Sequence, residues 1–386
     1  MKIDISKEKE RFSNFLNEED NKNIIFSGIY GIGKTYFINN FFEGNETYIP
    51  LYITPINYSV SSNEDIFEYI KFDILFQLLG KDIPFEEYLS SWENATILYM
   101  KKNIAPFILD LMKFAEKIKY GINIFDNIEK LYKGIKDTKE KEENNEERKA
   151  LTFLKELSIK TGTIYEDNAI TQIIRSSITY LKDVENEKKK IVLVVDDLDR
   201  IDPEHIFRIL NVLSAHNDFY QTEENKFSFD KVILVCDIEN IKKIFNSKYG
   251  KNVDFNGYID KFYSKEIYYF NNIQNINNAI PYIIENLESD ETRPIGFNSE
   301  DYLSYSALRY ILSAFLKNGD ISTRKLLNLN KKYIILDRRI WIGGSYKRID
   351  TYQGLGIFEF LKSLFSTIED LSVAINHLNE NNLAHR

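Results

Sequence analysis

Cysteine is almost absent. Cys236 is the only one in 386 residues, which excludes a disulfide framework and any cysteine-built zinc site. Its place in the apolar run Val232–Cys236 marks it as a buried strand residue. The four histidines, His205, His216, His377 and His385, show no metal-ligand spacing. No window approaches the roughly eighteen uncharged apolar residues of a membrane span, and the nearest stretch, residues 104–112, is short and contains Asp110. The first ten residues lack the apolar heart of a secretion signal, so the chain reads as cytoplasmic with no membrane partner. An excess of positive charge is missing too. With a net charge of −9 and a pI near 5.3, nucleic acid is not the default partner, although a total hides any local basic face.

What is present suffices for a sizeable core: 43% of the residues are hydrophobic and 14% aromatic. The length implies two domains, or one large domain with an insertion. Near the start, Gly28, Gly33, Lys34 and Thr35 complete the pattern G-x-x-x-x-G-K-[ST], with a further glycine at Gly31. Ile24-Ile25-Phe26 reads as a buried strand entering the loop, and Tyr36-Phe37-Ile38 as the start of a helix leaving it. Glycines let successive N–H groups turn inward to form an anion nest, and the helix N-terminus adds its partial positive charge. The candidate nucleotide contacts are therefore Gly28, Ile29, Tyr30, Gly31, Ile32, Gly33, Lys34, Thr35 and Tyr36, with Lys34 reaching the β- and γ-phosphates and Thr35 ligating Mg2+.

A phosphate loop needs a carboxylate partner. Ile191–Val195 is a continuous apolar run, as expected of a strand buried on both faces of a parallel sheet, and it ends in Asp196-Asp-Leu-Asp-Arg200. Acidic residues at such a tip lie at the ligand crevice of an open α/β sheet. Asp196 fits a Mg2+ ligand, and Asp197 fits the group that orients or deprotonates the attacking water. A second strand, Lys231–Cys236, ends at Asp237, which reads equally as a phosphate sensor and as the cap of the helix beginning at Ile238. Arg200 reads as a candidate arginine finger or as a tie between this turn and its neighbours.

The remaining pattern organises the chain into an N-terminal core part (1–80), a helical insertion (81–160), a C-terminal core part (161–270) and an α-helical lid (271–386). In the strand at 47–54, Pro50 favours an edge or a strand end over a paired central position. Asn63 is a candidate cap for a helix ending at Gly80. Residues 136–149 form a Glu-, Lys- and Asn-rich run with the character of a solvated helix or loop. From residue 271 onward only helical patterns are expected, including one at 280–287. Strands alternating with helices and then helices alone indicate an α/β parallel sheet flanked by helices, followed by a helical domain.

These residues resemble the KAP family of P-loop NTPases. The family's Gly-x-Trp-Gly-x-Gly-Lys-Thr is matched by Gly28–Thr35 with Tyr30 at the aromatic position, and its Asp-Asp-Leu-Asp-Arg stands unaltered at Asp196–Arg200. Tyr258–Lys261 and Ile321–Asn328 are similar to later family segments. The resemblance implies a P-loop fold of the ASCE/STAND type, ATP as nucleotide, Arg324 as a lid arginine reaching the γ-phosphate, and frequent association with anti-phage defence. Many family members carry membrane helices in the insertion, and this sequence shows none. Three functions compete: an ATPase that switches a protein partner or homo-oligomer, a nucleotide-binding scaffold without turnover, and a DNA-sensing protein. The third draws on Lys325, Lys331, Lys332, Arg338, Arg339, Lys347 and Arg348, with Trp341, Tyr346 and Tyr352 among them.

Overall fold

Apolar runs rich in β-branched residues build the sheet. In the computed structural model the described residues are 4–58, 66–81, 108–109, 112, 123–137, 169–184, 189–215, 225, 227–285, 302–329, 339–342, 344–348 and 353–383. Strands β1 (Asn23–Ser27), β2 (Tyr48–Ile53), β3 (Lys190–Val195), β4 (Lys231–Cys236) and β5 (Tyr268–Tyr269) form one sheet in the order β2-β3-β4-β1-β5. The first four run parallel. β3 and β4 take inner places and are buried almost throughout, as their unbroken apolar sequences require. Pro50 lies in the edge strand β2, where a missing N–H costs nothing.

The helices are α1 (Ser6–Asn17), α2 (Lys34–Phe42), α3 (Ile66–Leu79), α4 (Asn123–Asp137), α5 (Ala169–Val184), α6 (Pro203–Ala215), α7 (Ile238–Tyr249), α8 (Phe255–Ile259), α9 (Ile273–Glu285), α10 (Tyr302–Asn318), α11 (Thr323–Asn328), α12 (Gln353–Ser363) and α13 (Ile368–Leu383). A two-stranded antiparallel sheet, β6 (Arg339–Ile342) with β7 (Ser345–Arg348), falls where only helices are expected from the sequence. Gly344 at its turn has a φ of +86°, the conformation that tight hairpins ask of glycine. The helix expected at 280–287 instead starts at Ile273 and runs through Pro281. Asn63 and most of 81–160 lie outside the described residues, α4 excepted, as does most of the charge run at 136–149. Among the described residues no helix is long and apolar enough to cross a membrane.

The chain forms two compact units. The first, residues 15–27 and 38–268, holds the sheet and a core in which Leu51, Ile74, Leu75, Ile173, Ile178, Leu193 and Leu198 are fully buried. In it, α5 packs on α3, and Asp230 clamps the start of β3 by accepting from the Ile191 N–H at 2.7 Å and pairing with Lys182 at 2.9 Å. The second unit, residues 1–14, 28–37 and 269–386, is helical around the loop that follows β1. Phe37 sits between Phe12 (5.7 Å between ring centroids) and Phe270 (4.7 Å), while α10 packs on α9, α12 and α13 around the buried Leu308, Leu312 and Phe315.

Lys231 begins β4 almost fully buried, its Nζ donating to the carbonyls of Glu18 (2.9 Å) and Asn21 (2.8 Å). Burial pushes its ammonium down to about 8, and the nearby positive charge of Lys190 adds to this. Below that pH the folded and unfolded chains both hold the proton. Between about 8 and the ordinary lysine range the folded chain has released it first, so this group's contribution to stability rises with pH. Lys231→Met removes both hydrogen bonds and is expected to cost about 1–3 kcal/mol at neutral pH. Urea melts of the two proteins, repeated at alkaline pH, should show the deficit growing as pH increases.

Candidate phosphate-binding site

β1 ends at Ser27, whose hydroxyl accepts from the Ile238 N–H at 3.1 Å, and the chain then enters the glycine loop. Two glycines there are fixed by close neighbours. A Cβ on Gly28 would stand 3.0 Å from the Phe270 carbonyl oxygen, and one on Gly31 would stand 2.7 Å from the Ser322 Cβ. Gly31 and Gly33 also take φ values of +77° and +97°, where a side chain is strained. A Cβ on Gly33 would meet nothing within 4 Å, so the loop is open on that side.

Lys34 starts α2 and is buried. Its Nζ folds back across the loop, donating to the Gly28 carbonyl at 2.7 Å and the Ile29 carbonyl at 3.3 Å. The Gly33 carbonyl accepts from the Phe37 N–H at 2.9 Å, which opens the helix. Thr35 and Tyr36 are exposed, as are Ile29 and Tyr30. Ile32 has its side chain in the core, which leaves only its backbone for a ligand.

The structure brings a second element to this loop. The Thr323 N–H donates to the Gly31 carbonyl at 3.1 Å, and Ser322 packs on Gly31. Arg324 follows directly, exposed in the first turn of α11. Neither Ser322 nor Thr323 stands out in the sequence as a site residue. Only the capping of α11 was readable there, a serine with the Lys325 N–H three residues on, bonded at 3.2 Å.

The carboxylates belong to the sheet unit. Val195 is level with Leu234 and, through it, with Ile25, so β3 ends two residues short of β4 and β1, which end together at Cys236 and Ser27. Asp196 follows Val195, and its Oδ1 accepts from the Asp197 N–H at 2.8 Å. Burial pushes the Tyr52 phenol up to about 12, with the Asp196 charge adding to it, so Tyr52 remains a neutral hydroxyl. Asp197 adopts the left-handed conformation (φ 53°, ψ 35°) that Asp tolerates better than most residues. Its Oδ2 accepts from Arg200 Nη1 at 2.7 Å, so Arg200 ties its own turn. Asp237 Oδ1 accepts from the N–H groups of Glu239 (3.1 Å) and Asn240 (3.4 Å), the helix-capping arrangement.

Each unit, taken by itself, holds donor types that a Mg-nucleotide uses: a glycine loop with an inward lysine and a helix-start hydroxyl at Thr35 in the helical unit, and a strand-end carboxylate at Asp196 in the sheet unit. Such a site takes most of its metal ligands from phosphate and water. Among the described residues there is no cluster of three or more His, Cys, Asp or Glu side chains suited to a metal.

Comparison with known proteins gives a single result. No curated protein and no solved structure matched the chain. The pattern of the KAP family P-loop domain matches residues 6–293, a span that takes in the glycine loop, the carboxylate turn and all five strands of the main sheet. The chain belongs to the KAP family of P-loop domains.

Proposed function

We propose that the protein is a Mg2+-dependent ATPase whose nucleotide state is passed through the helical unit to a protein partner or a second copy of the chain. The observation that carries the reading is Lys34, an ammonium buried inside a glycine loop and held by that loop's own carbonyls. Such a group is placed to exchange carbonyl dipoles for phosphate oxygens, a charge-assisted and stronger contact. The loop N–H groups and the start of α2 would seat the phosphates. Thr35 and Asp196 are the residues proposed to hold Mg2+, which would draw charge from the phosphates in the transition state. Asp197 would orient the attacking water. Arg324 is proposed as the lid guanidinium and Asp237 as a sensor, a role that leaves its capping bonds in place. A part in anti-phage defence rests on the family resemblance alone.

Two substitutions separate hydrolysis from scaffolding. Lys34→Ala should abolish measurable ATP binding and turnover. Asp197→Asn should keep nucleotide affinity while turnover falls about 10²- to 10⁴-fold, the usual contribution of a positioned base. If wild-type protein binds ATP but shows no turnover with or without Mg2+, and Asp197→Asn leaves its melting shift intact, the site is a scaffold.

A second reading, nucleic-acid binding, is favoured by the hairpin. Its register sets Arg339 opposite Arg348 and Trp341 opposite Tyr346. Residues 331–348 hold six basic residues against one acidic, in a chain of net charge −9. Under this reading, single-stranded DNA is retained at about 50 mM salt and released by about 200 mM, and Arg339→Glu with Arg348→Glu abolishes retention. Retention that survives the double charge reversal would rule the hairpin out.

A further inference from the structure

A loop that turns N–H groups towards a phosphate must find other partners for its carbonyls. Here Lys34 takes those of Gly28 and Ile29, and the Phe37 N–H takes that of Gly33. The Gly31 carbonyl is taken from outside, by the Thr323 N–H at 3.1 Å. The C=O and N–H of a planar trans peptide point in opposite directions, so holding the Gly31 oxygen also aims the Ile32 N–H. That N–H has a bond to the Ile29 carbonyl at 3.4 Å, long enough for a phosphate oxygen to displace.

The turn that delivers Thr323 is braced on several sides. The N–H of Gly319 donates to Leu316, and that of Asp320 to Phe315, closing the end of α10. Asp320 Oδ1 meets His377 Nδ1 of α13 at 2.7 Å. Ser322 caps α11, and Thr323 is 5% exposed.

We propose that Thr323 is a positioning residue for the phosphate loop. Its backbone N–H, docked on Gly31, fixes the Gly31–Ile32 peptide in the orientation a nucleoside triphosphate needs, so the loop is competent only while the α10–α11 turn is docked. This rests on the loop binding a nucleotide. Because coupling between two binding events is reciprocal, the nucleotide tightens the Thr323 contact by the same factor.

Thr323→Pro tests the contact with little disturbance of the helix. Thr323 is the first residue of α11, where proline is well accommodated, and Ser322 (φ −85°, ψ 152°) already has the extended backbone that precedes proline. The full-length variant should fold and melt only a few degrees below wild type without nucleotide, yet bind Mg-ATP about tenfold more weakly, one hydrogen bond's worth. The control is Ile368→Pro, the same change at the exposed first residue of α13, whose Thr367 cap accepts from Asp370 at 3.0 Å. It should bind as wild type does. Equal affinity in Thr323→Pro, or an equal loss in Ile368→Pro, overturns the contact's role while leaving nucleotide binding standing. A wild-type chain that binds no nucleotide overturns both. If Thr323→Pro does not fold, amide exchange in the wild type decides: exchange at Thr323 should slow about tenfold in Mg-ATP, and unchanged exchange overturns the proposal.

Discussion

The carbonyls of a phosphate loop need partners that leave its N–H groups free, or only weakly held, for the phosphate. This constraint ties the glycine loop to the rest of the helical unit. Gly28 and Ile29 are served by the lysine of the same motif and Gly33 by the helix that follows, so those bonds are local and come with the motif. Gly31 is different, because its donor is Thr323. The glycines follow from the same geometry. Gly28 lies under the Phe270 carbonyl, where a methyl group would be tight, and Gly31 under Ser322, where one would collide. The aromatic stack of Phe12, Phe37 and Phe270 then fixes the start of α2, from which Lys34 reaches back.

In the sheet unit the governing constraint is level. β3, β4 and β1 are held in register by parallel pairing, and the bond from the Asp196 N–H to the Ile53 carbonyl at 2.8 Å carries the β2–β3 ladder one residue past the strand. The chain beyond turns sharply through a left-handed residue. An aspartate can occupy that position because its short polar side chain bonds locally, here to Arg200. The Asp197 carboxylate therefore helps to shape the turn that presents it.

Much of this was legible in the sequence because the signals are local. The apolar runs before Asp196 and Asp237 gave the buried strands, Pro50 narrowed its strand to an edge or a strand end, and the G-x-x-x-x-G-K-[ST] spacing gave the loop between strand and helix. For Asp237 the capping reading is the one the geometry displays, and capping is a signal within three residues. Contact between Thr323 and Gly31 could not be read, since nothing in either local pattern names a partner nearly three hundred residues away. The hairpin was legible but passed over: Arg339–Ile342 and Ser345–Arg348 flank Gly343-Gly344, a common turn pair, and four-residue strands are too short for period-two alternation to stand out. The helix expected at 280–287 begins earlier, at Ile273, and runs through Pro281.

The lysine that folds onto its own loop has one more consequence. Two carbonyl dipoles already solvate the Lys34 ammonium, so an arriving ligand does not meet a bare charge. It enters a competition, and only the difference between its hold on the ammonium and theirs counts towards affinity. A neutral or weakly charged group gains little from displacing two well-placed dipoles, whereas a dense anion gains much. The loop's resting arrangement is thus a discriminator by charge density, built from the same backbone that forms the seat.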